Sequence, residues 1–131
     1  MGLDNGLRVT RTKYTEIIQE LKIFSDEFIE RYKTDFELAY WRKCWNIRNE
    51  ILNYLGGRFS DAYEFPVTID DIDPIIQILQ SYNEDNWTDS GSCIWTFEEM
   101  QPVLAQQVEN LKQLKELMQK YDLEVYFYDS Y

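Results

Sequence analysis

Both ends of the sequence alternate apolar and polar residues, and the residues with helical spacing lie between them. Leu7-Arg8-Val9-Thr10-Arg11 alternates with β-branched residues, which predicts an edge or half-buried strand after the turn chemistry of Asp4-Asn5-Gly6. Leu123-Glu124-Val125-Tyr126-Phe127-Tyr128 alternates as well, with Leu123, Val125 and Phe127 on one face and Glu124, Tyr126 and Tyr128 on the other. Tying both ends into one small sheet keeps them from fraying, and amphipathic helices then cover it. The expected class is α+β. A chain of 131 residues, 44% hydrophobic and 16% aromatic, supplies one core, so a single domain over residues 1–131 is expected.

The middle of the chain supplies the helices. Tyr40, Cys44, Ile47, Ile51 and Leu55 recur at intervals of four and three, which predicts a helix over 36–55 that begins near a Thr34-Asp35 cap and ends at a left-handed Gly56-Gly57 stop. Trp41, Trp45, Arg48 and Leu52 fall on the adjoining stripe, and Arg42, Asn46, Asn49 and Asn53 on the polar face. Residues 14–32 read as a mixture of helix and loop. Ala62–Val67 reads as a short extended piece, placed at an edge by Pro66. Thr68-Ile69-Asp70-Asp71-Ile72-Asp73-Pro74 and Thr96-Phe97-Glu98-Glu99-Met100-Gln101-Pro102 share one design: a threonine cap, two acids in the first turn and a proline six residues after the cap. A proline that deep removes a helical hydrogen bond, so either the first turn stands apart or the helix bends, with the second apolar run expected over 102–121. Between them, residues 83–92 form a polar loop punctuated by Trp87, the kind of segment that often carries function.

Charge divides the chain in two. Residues 1–60 hold 10 Lys/Arg against 9 Asp/Glu (+1) and residues 61–131 hold 3 against 15 (−12), which together give −11. An acidic surface excludes direct binding of nucleic acid, because phosphate neutralisation needs cations. It suits a basic protein groove facing the second half, or a small anion held by the first half; the plainer reading is a surface that keeps the protein soluble. No apolar run approaches the roughly 20 residues that span a bilayer, and the start lacks a secretory pattern, so a cytoplasmic setting is expected.

The chemistry of catalysis has little to work with here. There is no histidine, no Gly-rich phosphate loop and no metal-ligand spacing, so no cofactor or metal is expected and the chain reads as a non-enzyme. Cys44 and Cys93 read as buried free thiols rather than a disulfide in a reducing compartment. The carboxylates at 70–73 and 98–99 have the residue type for acid–base work, but helix capping accounts for them more simply. The best ligand-binding constellation is Trp41, Arg42, Lys43, Trp45 and Arg48: two indoles one turn apart offer flat faces, and three cations suit phosphate or carboxylate. Its plainer reading has the tryptophans in the core and the cations paired with acids. The competing partner-binding set is Asp85, Asp89, Glu98 and Glu99 in the acidic half.

The opening Met1-Gly2-Leu3-Asp4, the segment Tyr40-Trp41-Arg42-Lys43 and the aromatic ending Tyr126-Phe127-Tyr128-Asp129-Ser130-Tyr131 together resemble a family of short phage and prophage proteins. Those proteins start MGLD, carry a YWRK segment before an amphipathic helix and finish on an aromatic strand. Where the family pattern has a histidine after YWRK, this chain has Arg48, which keeps a cation but not a proton-transferring group. The resemblance implies a phage accessory protein that acts by binding inside the host cell. Two tasks fit it. One is counter-defence by sequestering a phosphate-bearing nucleotide signal on the 41–48 constellation, with a homo-oligomer interface completing the pocket. The other is an acidic inhibitor whose 61–131 half occupies the nucleic-acid groove of a host effector such as a CRISPR nuclease.

Overall fold

The computed structural model of the chain describes residues 4–10, 35–56 and 64–130. They form a four-stranded antiparallel sheet and three helices, an α+β fold: β1 (Asp4–Thr10), β2 (Asp35–Arg42), α1 (Trp45–Leu55), β3 (Glu64–Val67), α2 (Ile69–Gln80), α3 (Phe97–Lys120) and β4 (Val125–Ser130). The sheet order is β2-β1-β4-β3. The expected pairing of the two alternating segments is its centre: Leu7 lies opposite Phe127 and Val9 opposite Val125, and all four are buried. Of the two readings its alternation allowed, edge or half-buried, β1 takes the second: β2 occupies its other side, Leu7 and Val9 are buried and Arg8 only partly so. Pro66 does sit on an edge strand, where a missing N–H costs no ladder bond on the open side. The mixture of helix and loop expected over 14–32 lies outside the described residues, as does Arg11.

The largest correction concerns 36–55. Residues 35–42 are strand β2, and the helix begins only at Trp45. The reason is a bulge. Leu7 pairs with Ala39 but Arg8 pairs with Glu37, so Leu38 is an extra residue, and both Leu38 and Ala39 are buried. A bulge breaks the alternation that announces a strand, and the residues that remain happen to continue the helical stripe of α1. Asp35 accordingly opens a strand rather than capping a helix. At the other end of α1, Gly56 is right-handed (φ −65°), its N–H donating to the Leu52 carbonyl, and Gly57, the other residue of the expected left-handed stop, lies outside the described residues.

Both threonine caps form full capping boxes. Thr68 and Asp71 exchange bonds at the start of α2, and Thr96 and Glu99 at the start of α3. Neither proline separates a first turn: Pro74 lies inside α2, and Pro102 lies inside a helix that starts five residues before the expected 102. Two polar contacts tie the helices together, Tyr54 Oη donating to Asp71 at 2.8 Å and Lys115 pairing with Asp73 at 2.7 Å, and a third joins β2 to α3, where the Trp41 indole N–H donates to Gln107 Oε1 at 2.9 Å. Among the described residues no helix is long and apolar enough to cross a membrane.

Cys44 and Cys93 are joined in a disulfide, which corrects the expectation of two free thiols. Their segments run antiparallel just beyond β2, so the two Cα atoms lie 4.1 Å apart although 49 residues separate them in sequence. Neither spacing nor compartment reveals such a contact; only the tertiary path does. Closing a loop of that length is expected to stabilise the fold by about 2–4 kcal/mol. Reduction of the purified protein should therefore lower its urea midpoint, and denatured, unreduced protein should take up no maleimide. Labelling of both thiols without reductant would contradict the link.

Candidate functional site

The disulfide marks the centre of the most exposed apolar surface of the described residues. On either side of it, Trp45 N–H donates to the Ser92 carbonyl at 2.8 Å and Ile94 N–H to the Lys43 carbonyl at 3.3 Å. Strand-like pairing turns the cysteine side chains inward and their neighbours outward. Trp45, Ile94 and Trp95, beside the link, are 37%, 54% and 43% exposed, three of the four exposed large hydrophobic residues described. Lys43 helps the chain turn from β2 into α1 by adopting a positive φ of 53°.

The loop under this patch is held rigidly. Asn46 and Asn49, expected on the polar face of their helix, reach across it: Asn46 Nδ2 donates to the Trp87 carbonyl at 2.7 Å and Asn49 Nδ2 to the Ser90 carbonyl at 2.6 Å. Asn46 is fully buried. The approach is close enough to require glycine at position 91, where φ is +148° and a Cβ would stand 3.1 Å from the backbone of Trp45 and Asn46. Ser90 also donates to Glu50. Asn83 and Asn86 close the preceding turns on each other's backbone N–H groups. Trp87 plugs the loop from below, its ring 5.0 Å from Tyr82 and 5.9 Å from Phe97, its indole N–H donating to the Trp95 carbonyl at 2.9 Å. Burial holds the Tyr82 phenol well above its usual range, and the Glu50 carboxylate adds to that rise.

A concavity of about 400 Å³ opens beside the patch, lined by Trp87, Ile94, Trp95, Phe97, Glu84 and Glu98 among others. The segment that lines it is one-signed, whereas Arg42, Lys43 and Arg48 stand near Trp45. Between Arg58 and Lys112 the sequence contains no lysine or arginine but eleven aspartates and glutamates. Asp85, Asp89 and Glu98 are exposed, whereas Glu99 spends its carboxylate on the Thr96 backbone and hydroxyl. Of the partner-binding set, Glu98 lines this concavity, Asp85 and Asp89 are exposed in the loop that leads to it, and Glu99 is a helix cap.

The ligand-binding constellation is dispersed. Trp41 is 1% exposed and faces the core, bonded to Gln107. Arg48 is engaged by Asp129 through three bonds of 3.0–3.1 Å, and its guanidinium lies 5.2 Å from the Trp45 ring centre. Arg42, at the exposed end of β2, and Lys43 remain beside Trp45 on the surface. The residues that sequence reasoning missed here are Ile94 and Trp95 with their clamps Asn46, Asn49 and Gly91; the pairing of 43–45 with 92–94 has no local signal. Among the described residues there is no group of three side chains able to hold a metal ion. No protein-family model, curated protein or solved structure matches this chain.

Proposed function

We propose that this chain is a non-enzymatic binding protein that docks its acidic, tryptophan-bearing face, residues 84–99 with Trp45, into a basic groove of a partner protein. In the phage setting that the sequence resemblance implies, the partner is a host defence effector and the groove is one that otherwise takes nucleic acid. The observation that carries this reading is the exposed Ile94–Trp95 pair, which lies in the segment 59–111 that has no basic residue, with the exposed Trp45 joined to it through the Cys44–Cys93 link. Exposed aromatic side chains on a rigid frame are what dominate protein interfaces, and the acids of the 84–98 segment would steer a basic partner. The nucleotide-sequestering reading has less support, since Trp41 is enclosed and Arg48 is already bound to a carboxylate.

The test is competition. Against a panel of purified nucleases with basic grooves, the protein should bind one competitively with DNA and lose affinity as salt is raised. The combined variant Asp85→Lys, Asp89→Lys, Glu98→Lys should weaken that complex at least about tenfold, or about 1.4 kcal/mol, without shifting the unfolding midpoint. Trp95→Ala should do the same at every salt concentration. Association that ignores both sets of changes would reject the proposed face.

A further inference from the structure

The two sulfurs of the Cys44–Cys93 link are unequally placed. Cys93 is partly exposed and lines the concavity beside Trp95, whereas Cys44 is fully buried at the N-cap of α1. A thiol arriving from solvent therefore meets the Cys93 sulfur, and attack there expels Cys44 as the leaving thiolate. Burial opposes that charge, but the position offsets it: a helix N-terminus lowers the pKa of a thiol, and α1 carries no acid in its first turn. A leaving thiol of lowered pKa departs faster.

What the link holds is the exposed apolar patch. The asparagine clamps grip the loop upstream, at Trp87 and Ser90, and the Thr96 capping box fixes the chain downstream. Between those anchors, residues 92–95 are held to their neighbours by the disulfide, by the two backbone hydrogen bonds that flank it and by the Trp87 indole on the Trp95 carbonyl. The sheet has its own ladders, with Leu7 and Val9 packed against Phe127 and Val125, and does not depend on the link.

We propose that the Cys44–Cys93 bond is a redox switch for the Trp45–Ile94–Trp95 patch, opened by a low-molecular-weight thiol of the glutathione kind. The thiolate of one glutathione attacks the Cys93 sulfur; a mixed disulfide forms there as the S–S bond breaks and its electron pair leaves on Cys44. A second glutathione thiolate attacks the glutathione sulfur of that mixed disulfide, releasing oxidised glutathione and the Cys93 thiolate. Two electrons have passed to the protein, and each cysteine takes a proton from solvent. Where thiols are kept reduced, disulfides are mostly transient or redox-sensing, so the patch is set in place under oxidising conditions and loosened under reducing ones. Any effect on a partner rests on the docking reading above; the opening itself does not.

The test uses the full chain, purified without reductant and equilibrated in buffers of reduced and oxidised glutathione, then quenched in acid and mapped by mass spectrometry. Reduced glutathione should open the bond, the trapped single adduct should sit on Cys93, and oxidised glutathione should close the bond again. On opening, amide exchange at Trp45 and Ile94 should rise at least about tenfold, and the indole N–H resonances of Trp45 and Trp95 should shift. The Trp41 indole, bonded to Gln107, should stay in place. Cys44→Ala combined with Cys93→Ala should show the fast exchange in every buffer. An adduct on Cys44, a bond that resists reduced glutathione, unchanged exchange at the patch, or global unfolding in place of local opening would each overturn the switch. None of these readouts needs a partner, so a docking face rejected by the competition assay leaves them standing, and a failed switch leaves that assay to be judged by itself.

Discussion

Replacing Trp41 by alanine is expected to cost about 3–5 kcal/mol of stability, most of it from the cavity left by a large, fully buried side chain. The substitution also leaves the Gln107 amide, itself buried on α3, without the indole that it accepts from at 2.9 Å. Urea denaturation followed by circular dichroism reads the effect directly. Arg42→Ala, one residue away on the exposed end of β2, should shift the midpoint by no more than about 0.5 kcal/mol. The pair separates two roles that adjoin in sequence. A Trp41→Ala protein with wild-type stability would mean that the indole is not part of the core, and would return it to the candidate ligand site.

The same residue shows how far the sequence was legible. Leu7, Val9, Val125 and Phe127 could be placed face to face because a period of two has only one structural reading when it is unbroken. Thr68 and Thr96 were equally plain, since a cap and its acid three residues on are local chemistry. Trp41 was ambiguous because β2 carries a bulge at Leu38: its alternation is interrupted, and Tyr40 and Cys44 align with the stripe of α1 that follows. Strand pairing with β1, not local preference, decided the matter.

The functional face was legible only in part, for a related reason. The acids at 85, 89 and 98 and the loop at 83–92 are visible as composition. The exposure of Trp95 and Ile94, by contrast, follows from the Cys44–Cys93 link and from two asparagine clamps that each span 41 residues. Asparagine on the outer face of a helix ordinarily signals solvent. Here Asn46 is buried because a loop carbonyl with no partner in its own turn needs a donor, and the helix provides one.

The Arg48–Asp129 pair offers the clearest test of whether the cations of the first half bind a ligand or hold the fold. It joins α1 to β4, with side chains only 19% and 8% exposed. Arg48→Met removes the guanidinium while keeping much of its apolar stem, and leaves the Asp129 carboxylate in a partly dry site without a counter-charge. Breaking such a pair from one side costs about 3–5 kcal/mol, and the residual exposure of Arg48 places this case toward the lower end. Asp129→Leu should destabilise by a comparable amount. The double variant should recover most of the loss, because two apolar side chains restore packing with no unpaired charge. Chemical denaturation of the four proteins gives the coupling energy. If Arg48→Met instead keeps its stability and the protein loses a bound nucleotide that the wild type retains, the arginine serves a ligand and the nucleotide-sequestering reading gains over the docking one. Strong coupling with Asp129 leaves Arg48 as the strut that holds Trp45 beside the acidic face.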